Sequence, residues 1–148
     1  MTKEEIYEFM KEMKIARICT FNKDGTIHSV PVWFLIEDEN VIIFTPNNSQ
    51  KTKNIRRNNK ILLLIDNQDL QTKGVLIYGE ADKGVVGTPE EALTLFRKYF
   101  DTEDEAKRYR RGAMQLATWL KFTVKPVKFA SFDYHKDDIY RKAMHEED

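Results

Sequence analysis

About seven short extended runs, separated by turn residues and interrupted by helices at irregular intervals, restrict this 148-residue chain to a mainly β, antiparallel architecture. A parallel sheet needs a crossover helix between paired strands, and the helical stretches here do not alternate with strands in that way. The runs cover residues 15–21, 26–36, 41–45, 60–66, 75–83, 120–124 and 127–132. Asp24-Gly25 supplies hairpin chemistry between the first two, and Glu37-Asp38-Glu39-Asn40 a polar turn before the third, so the first three read as a meander. A polar loop with Gln68, Gln71 and Gly74 separates the fourth and fifth, and Lys125-Pro126 interrupts the last two. The fold class expected is an antiparallel barrel or strongly curled sheet with flanking helices.

The helices announce themselves at their N-termini. Thr2 and Glu5 form a capping box ahead of Ile6, Phe9, Met10 and Met13 at helical spacing. Ser49 caps a short helix running to about Asn58, with Ile55 as its apolar anchor. Thr88-Pro89-Glu90-Glu91 sets an N-cap, a first-turn proline and a capping glutamate before Ala92, Leu95, Phe96, Tyr99 and Phe100. A further helix starts near Thr102 and runs to about Ala117, with Gly112 as a weak point inside it. The charged tail, 136–148, reads as a frayed end of one domain spanning 1–148.

Lys and Arg together number 24, as do Asp and Glu, so no overall field holds the molecule on nucleic acid or an anionic membrane. The apolar runs are only a few residues long, against the roughly 20 of a bilayer span, and the acidic N-terminus lacks the features of a secretory leader. No membrane association and a cytoplasmic location are expected. A single cysteine, Cys19, excludes an intrachain disulfide and reads as a buried small hydrophobe.

Against that balance, residues 41–65 contain no Asp or Glu, where an even spread would put about four, while Lys51, Lys53, Arg56, Arg57 and Lys60 are all basic. Lys51 and Lys53 also sit at the start of the Ser49-capped helix, where the dipole favours negative charge by about 0.3–1 kcal/mol. One reading is a phosphate cradle in which the Thr45 and Ser49 hydroxyls, free backbone N–H groups and the Lys51 ammonium converge on a dianion. A solvated basic face accounts for the same charges, and five cations with few interleaved aromatics make a nucleic-acid surface the weakest of the three. The second anomaly is Ser29-Val30-Pro31-Val32-Trp33-Phe34, an apolar strand with a proline where a strand neighbour would need an N–H. Paired with the third strand, it would set a flat ring system beside the cradle, although Trp33 and Phe34 also read as plain core. His28, His135 and His145 show no metal-site spacing, and hydrolase and P-loop motifs are missing from the sequence.

Taken in order, Ala16-Arg17-Ile18-Cys19-Thr20, Asp24-Gly25, Val30-Pro31-Val32-Trp33-Phe34, Phe44-Thr45, Ser49-Gln50-Lys51 leading into Lys53-Asn54-Ile55-Arg56-Arg57-Asn58, Tyr78-Gly79-Glu80-Ala81 and Val124-Lys125-Pro126 resemble the pyridoxamine 5'-phosphate oxidase-like FMN-binding split barrels, over about residues 5 to 135. The resemblance implies a homodimer of six-stranded split β-barrels with FMN at the subunit interface. It implies further that Ser29, Val30, Pro31, Val32 and Trp33 flank the isoalloxazine, that Phe44 and Thr45 lie near the ribityl chain and phosphate, and that Ser49, Gln50 and Lys51 hold the phosphate. No side-chain nucleophile or acid–base pair is implied, because the flavin carries the redox chemistry, exchanging hydride or electrons with a small molecule or NAD(P)H. Gln50 stands where oxidases of the family often carry arginine. Gly74 replaces a flavin-facing glutamine, and Phe129-Ala130-Ser131-Phe132-Asp133-Tyr134 lacks the Trp- and Arg-containing substrate segment. These departures favour a general stress protein-like flavoprotein over an oxidase of the vitamin itself. A deazaflavin, F420, stands as the alternative cofactor, and a non-catalytic flavin or haem module as the alternative role.

Overall fold

A capping box at Thr2 and Glu5, each side chain bonded to the other's backbone N–H, starts α1 (Lys3–Glu12), which buries Ile6, Phe9 and Met10. The computed structural model describes residues 1–70, 72–136 and 138–145, so Gln71 of the polar loop and residues 137 and 146–148 of the tail lie outside the described residues. The chain continues through β1 (Ala16–Phe21), β2 (Ile27–Val32), β3 (Phe34–Glu37) and β4 (Asn40–Pro46), then α2 (Gln50–Arg57). It goes on through β5 (Lys60–Asp66), β6 (Lys73–Ala81) and β7 (Val85–Val86) to α3 (Pro89–Phe96) and α4 (Glu103–Leu116), and ends in β8 (Trp119–Asp133) and α5 (Asp138–His145).

The described strands form one antiparallel sheet in the order β2-β1-β5-β6-β8-β4-β3, with β7 paired to β8. Its two edge strands, β2 and β3, are consecutive in the chain and separated only by Trp33. One kinked extended segment therefore supplies both rims of the sheet, as a split barrel requires. This corrects the expected meander. The stretch 26–36 is not a single strand, because β2 pairs with β1 while β3 pairs with β4. The break is stabilised from outside the sheet: the Tyr99 hydroxyl accepts from the Phe34 N–H at 2.8 Å and donates to the Phe34 carbonyl at 3.2 Å, replacing ladder partners. Pro31 is tolerated because β2 is an edge strand.

Lys125-Pro126 does not end a strand either. β8 runs through it, and the register against β6 shifts between Tyr78 and Gly79, so Val127 is the extra residue of a bulge. Gly79 permits the close approach, since a Cβ there would fall 2.7 Å from Val124 Cγ1 and 3.1 Å from the Lys125 carbonyl oxygen. Within the charged tail α5 spans Asp138–His145, and β7 has no sequence signal beyond two valines.

Alternation along the strands sends Ile18, Leu63, Ile77, Val124 and Phe122 to the interior of the curl, closed by Ile6, Phe9 and Met10 of α1 and by Ile55 of α2. β4 is buried on both faces: Val41 and Ile43 join that interior, while Ile42 and Phe44 face Ala92, Leu95 and Phe96 of α3 and Ala106 and Ala113 of α4. The α3–α4 pair is thereby fixed over the outer face of β4 and over Trp33. Cys19, expected in the core, is half-buried on the other face of β1, with its thiol 3.4 Å from the Ser29 hydroxyl.

Candidate functional site

The turn from β4 into α2 is built on hydroxyls. Ser49 caps the helix by accepting from the Thr52 N–H, and its Oγ lies 2.9 Å from Thr52 Oγ1. Thr52 donates to the Pro46 carbonyl at 2.8 Å and shares a hydrogen bond with Thr45. Thr45 and Thr52 are fully buried. These hydroxyls knit the turn to itself, so the Thr45 oxygen predicted for a phosphate points into the fold. Gln50 is exposed and donates to Asn54 Oδ1 at 2.9 Å, while the buried Asn54 amide donates to Thr20 and Asn22 of the neighbouring hairpin. That network anchors α2 and sets the direction in which Lys51 leaves it.

Lys51 opens on a cavity of about 400 Å³ whose walls include Pro31, Val32, Trp33 and Phe44. The structure thus brings together the proline-bearing strand and the basic helix, the two anomalies of the sequence. Ser29 and Val30 do not line this cavity, since Ser29 is exposed beside Cys19 and Val30 packs against the core. Thr45, Ser49 and Gln50 are not among its walls either: the first two belong to the turn and Gln50 opens α2. The Lys51 ammonium is half-buried, burial pushes its pKa down, and among the described residues it makes no ion pair. An ammonium held in an apolar cavity without a carboxylate favours an anionic ligand, because an opposite charge offsets its desolvation.

The remaining walls were not read from the sequence: Ile15, Pro46, Leu95, Phe96, Tyr109 and Trp119. Ile15 precedes β1 and Pro46 ends β4, while the other four come from α3, α4 and the start of β8, far along the chain, where no local pattern marks them for a site. Trp33 stacks on Tyr99 with centroids 4.3 Å apart and planes 10° from parallel, and meets Phe96, Phe100 and Tyr109 at 5.4–6.0 Å. One side of the indole is therefore fixed by aromatic packing while it lines the cavity. Beside it, Lys98 donates to the Phe34 carbonyl at 3.0 Å with its ammonium 3.6 Å from the Phe34 ring centroid. Burial and the nearby Lys14 push the Lys98 pKa down to about 8, and burial pushes the Tyr99 hydroxyl up to about 12. Gly74, the position of a flavin-facing glutamine in the vitamin oxidases, is closed here: a Cβ would fall 2.6 Å from the Phe132 ring.

The sequence model of a family described as Pyridoxamine 5'-phosphate oxidase matches residues 2–129. The chain belongs to that family. No curated protein matches it in sequence. Among solved structures, a conserved hypothetical protein of Mycobacterium tuberculosis, Rv2991, is 24% identical with a TM-score of 0.77, covering 92% of this chain and 87% of that one. A protein described as an F420 reductase is 18% identical with a TM-score of 0.68, over 87% of this chain and 98% of its own. HutZ, described as the haem storage protein of Vibrio cholerae, is 17% identical with a TM-score of 0.66, over 88% of this chain and 93% of its own. At these identities the likeness establishes the split-barrel fold shared across the family. Among the described residues no helix is long and apolar enough to cross a membrane, and no His, Cys, Asp and Glu cluster could hold a metal ion.

Proposed function

We propose that this chain binds a phosphate-bearing flavin, FMN, in the cavity between β2 and α2, and that it acts as an oxidoreductase on a small molecule other than pyridoxamine phosphate. The observation that carries this reading is the half-buried Lys51 ammonium, without an acidic partner among the described residues, in one apolar cavity with Pro31, Val32, Trp33 and Phe44. A cavity of this size falls within the range of about 300–1,000 Å³ usual for small-molecule sites, and a flat ring system with a charged tail matches its apolar walls and single cation. The flavin rings, when bound, supply the hydride and electron transfer. The chain's own part is positional. Lys51 neutralises the phosphate, Trp33 and Phe44 keep water from the rings, and the strand at Pro31 offers backbone without an N–H on its edge. The closed Gly74 position argues against the vitamin as substrate.

We place the working form as a homodimer, because Phe21 and Ile27, opposite each other on β1 and β2, stay 43% and 68% exposed on the outward sheet face. A non-catalytic flavin store is the second reading, favoured by the cavity walls, where Lys51 and Tyr109 are the titratable side chains. Absorbance of the purified protein with mass spectrometry of the released ligand tests the first claim: FMN is expected, and a colourless protein that FMN cannot reconstitute would refute it. Steady NAD(P)H-dependent turnover of the loaded protein separates enzyme from store. Absorption in the F420 region instead would assign the deazaflavin.

A further inference from the structure

A second cleft, of about 640 Å³, adjoins the first, and Tyr109 and Trp119 are walls of both. Its floor is one face of α4, where Gly112 stands inside a 14-residue helix. A glycine there costs about 1 kcal/mol relative to alanine. The other glycines have internal reasons: Gly25 has φ of 87°, Gly84 has φ of 76°, and a Cβ at Gly74, Gly79 or Gly87 would collide with a neighbour. Gly112 has no positive φ, and beyond its chain neighbours and the backbone of its own helix no heavy atom lies within 4 Å of where its Cβ would be. The side chain is therefore missing on the side of the cleft, for no reason internal to the fold. Along the same face Leu116 is 87% and Tyr109 41% exposed, and Glu105 and Arg108 line the cleft one turn apart without an ion pair among the described residues.

We propose that this cleft binds a planar aromatic carboxylate, with its rings against Tyr109 and Trp119, its edge over Gly112 and its acid group at Arg108. Aromatic walls favour a flat apolar body, the bare helix surface at Gly112 admits it close to α4, and a guanidinium without a carboxylate partner among the described residues matches an acid. The shared walls set this ligand next to the proposed cofactor cavity, a placement that rests on the flavin reading; the binding itself does not.

Naphthalene-2-carboxylate, with 2-naphthalenemethanol as the neutral counterpart, probes the cleft in the full chain, read by the NMR signal of the Trp119 indole N–H, which donates to the Ala113 carbonyl at 2.8 Å. A saturable shift is expected with and without FMN. Arg108→Ala is expected to weaken the carboxylate by about tenfold or more, and the neutral compound little, as loss of a charged hydrogen bond does. Gly112→Leu, which raises helix propensity and fills the space, is expected to weaken both probes while leaving FMN affinity unchanged. No saturable shift, unaltered binding in Gly112→Leu, or displacement of the probe by FMN would overturn the proposal. So would a change of oligomeric state in Gly112→Leu, which would make the cleft a subunit contact. Failure of the flavin reading would appear separately, as absence of FMN binding with the probe shift intact.

Discussion

Lys51 and Lys98 are both ammonium groups lowered in pKa by burial, and they have different consequences. Lys51 lines the cavity, so its desolvation is offset when an anion enters; Lys51→Ala should weaken FMN binding by about 1.5–3 kcal/mol, roughly 10- to 150-fold, in a fluorescence titration. Lys98 is tied to Phe34, so its cost falls on folding. Its folded pKa, about 8, lies below the ordinary lysine value, so between about pH 8 and 10 the unfolded chain binds more protons and stability rises with pH. Above about pH 10 the sign reverses for Tyr99, whose raised pKa keeps it protonated in the fold while the unfolded chain ionises. Urea unfolding of wild type and Lys98→Met across pH 8–10 should show this rise reduced in the variant; equal slopes would show that Lys98 does not carry it.

At the scale of elements, the break at Trp33 decides the architecture, and Tyr99 is what satisfies it. Tyr99→Phe leaves the Phe34 N–H and carbonyl without their hydroxyl partner and should cost about 1–3 kcal/mol in chemical denaturation. A loss below a few tenths of that would mean water or Lys98 suffices at the break. The same break marks the boundary of what the sequence discloses. Thr2 with Glu5, Ser49, and Thr88 with Glu91 name their helices because a cap is written within four residues. The interruption of 26–36 is set by a tyrosine 65 residues later, and no local pattern encodes it. Likewise Lys51 and Pro31 were legible as departures from charge balance and from strand chemistry. Tyr109 and Trp119 look like ordinary amphipathic positions until α4 and the start of β8 meet at the cavity. The Thr45 and Ser49 hydroxyls could be assigned to a ligand from their types alone; only the folded turn shows them bonded to Thr52 and each other.

For the molecule as a whole, the sheet leaves one outward face with Phe21, Ile27 and Tyr78 in water, and the proposed dimer covers it. Sedimentation should give twice the 17.5 kDa chain mass, and Ile27→Asp should shift it toward the single chain and reduce FMN retention together. A monomeric wild type that holds FMN fully would place the site within one chain. Whatever the assembly, the proposed Lys51–phosphate contact in the cavity walled by Pro31 and Trp33 can be tested within one chain. The most direct measurement is a parallel titration of the cofactor-free protein and Lys51→Ala with FMN and with riboflavin, which differ only in that phosphate. FMN should bind wild type at least about tenfold tighter than riboflavin, and the gap should largely close in Lys51→Ala. Equal affinities in wild type, or a gap that survives the substitution, would contradict it.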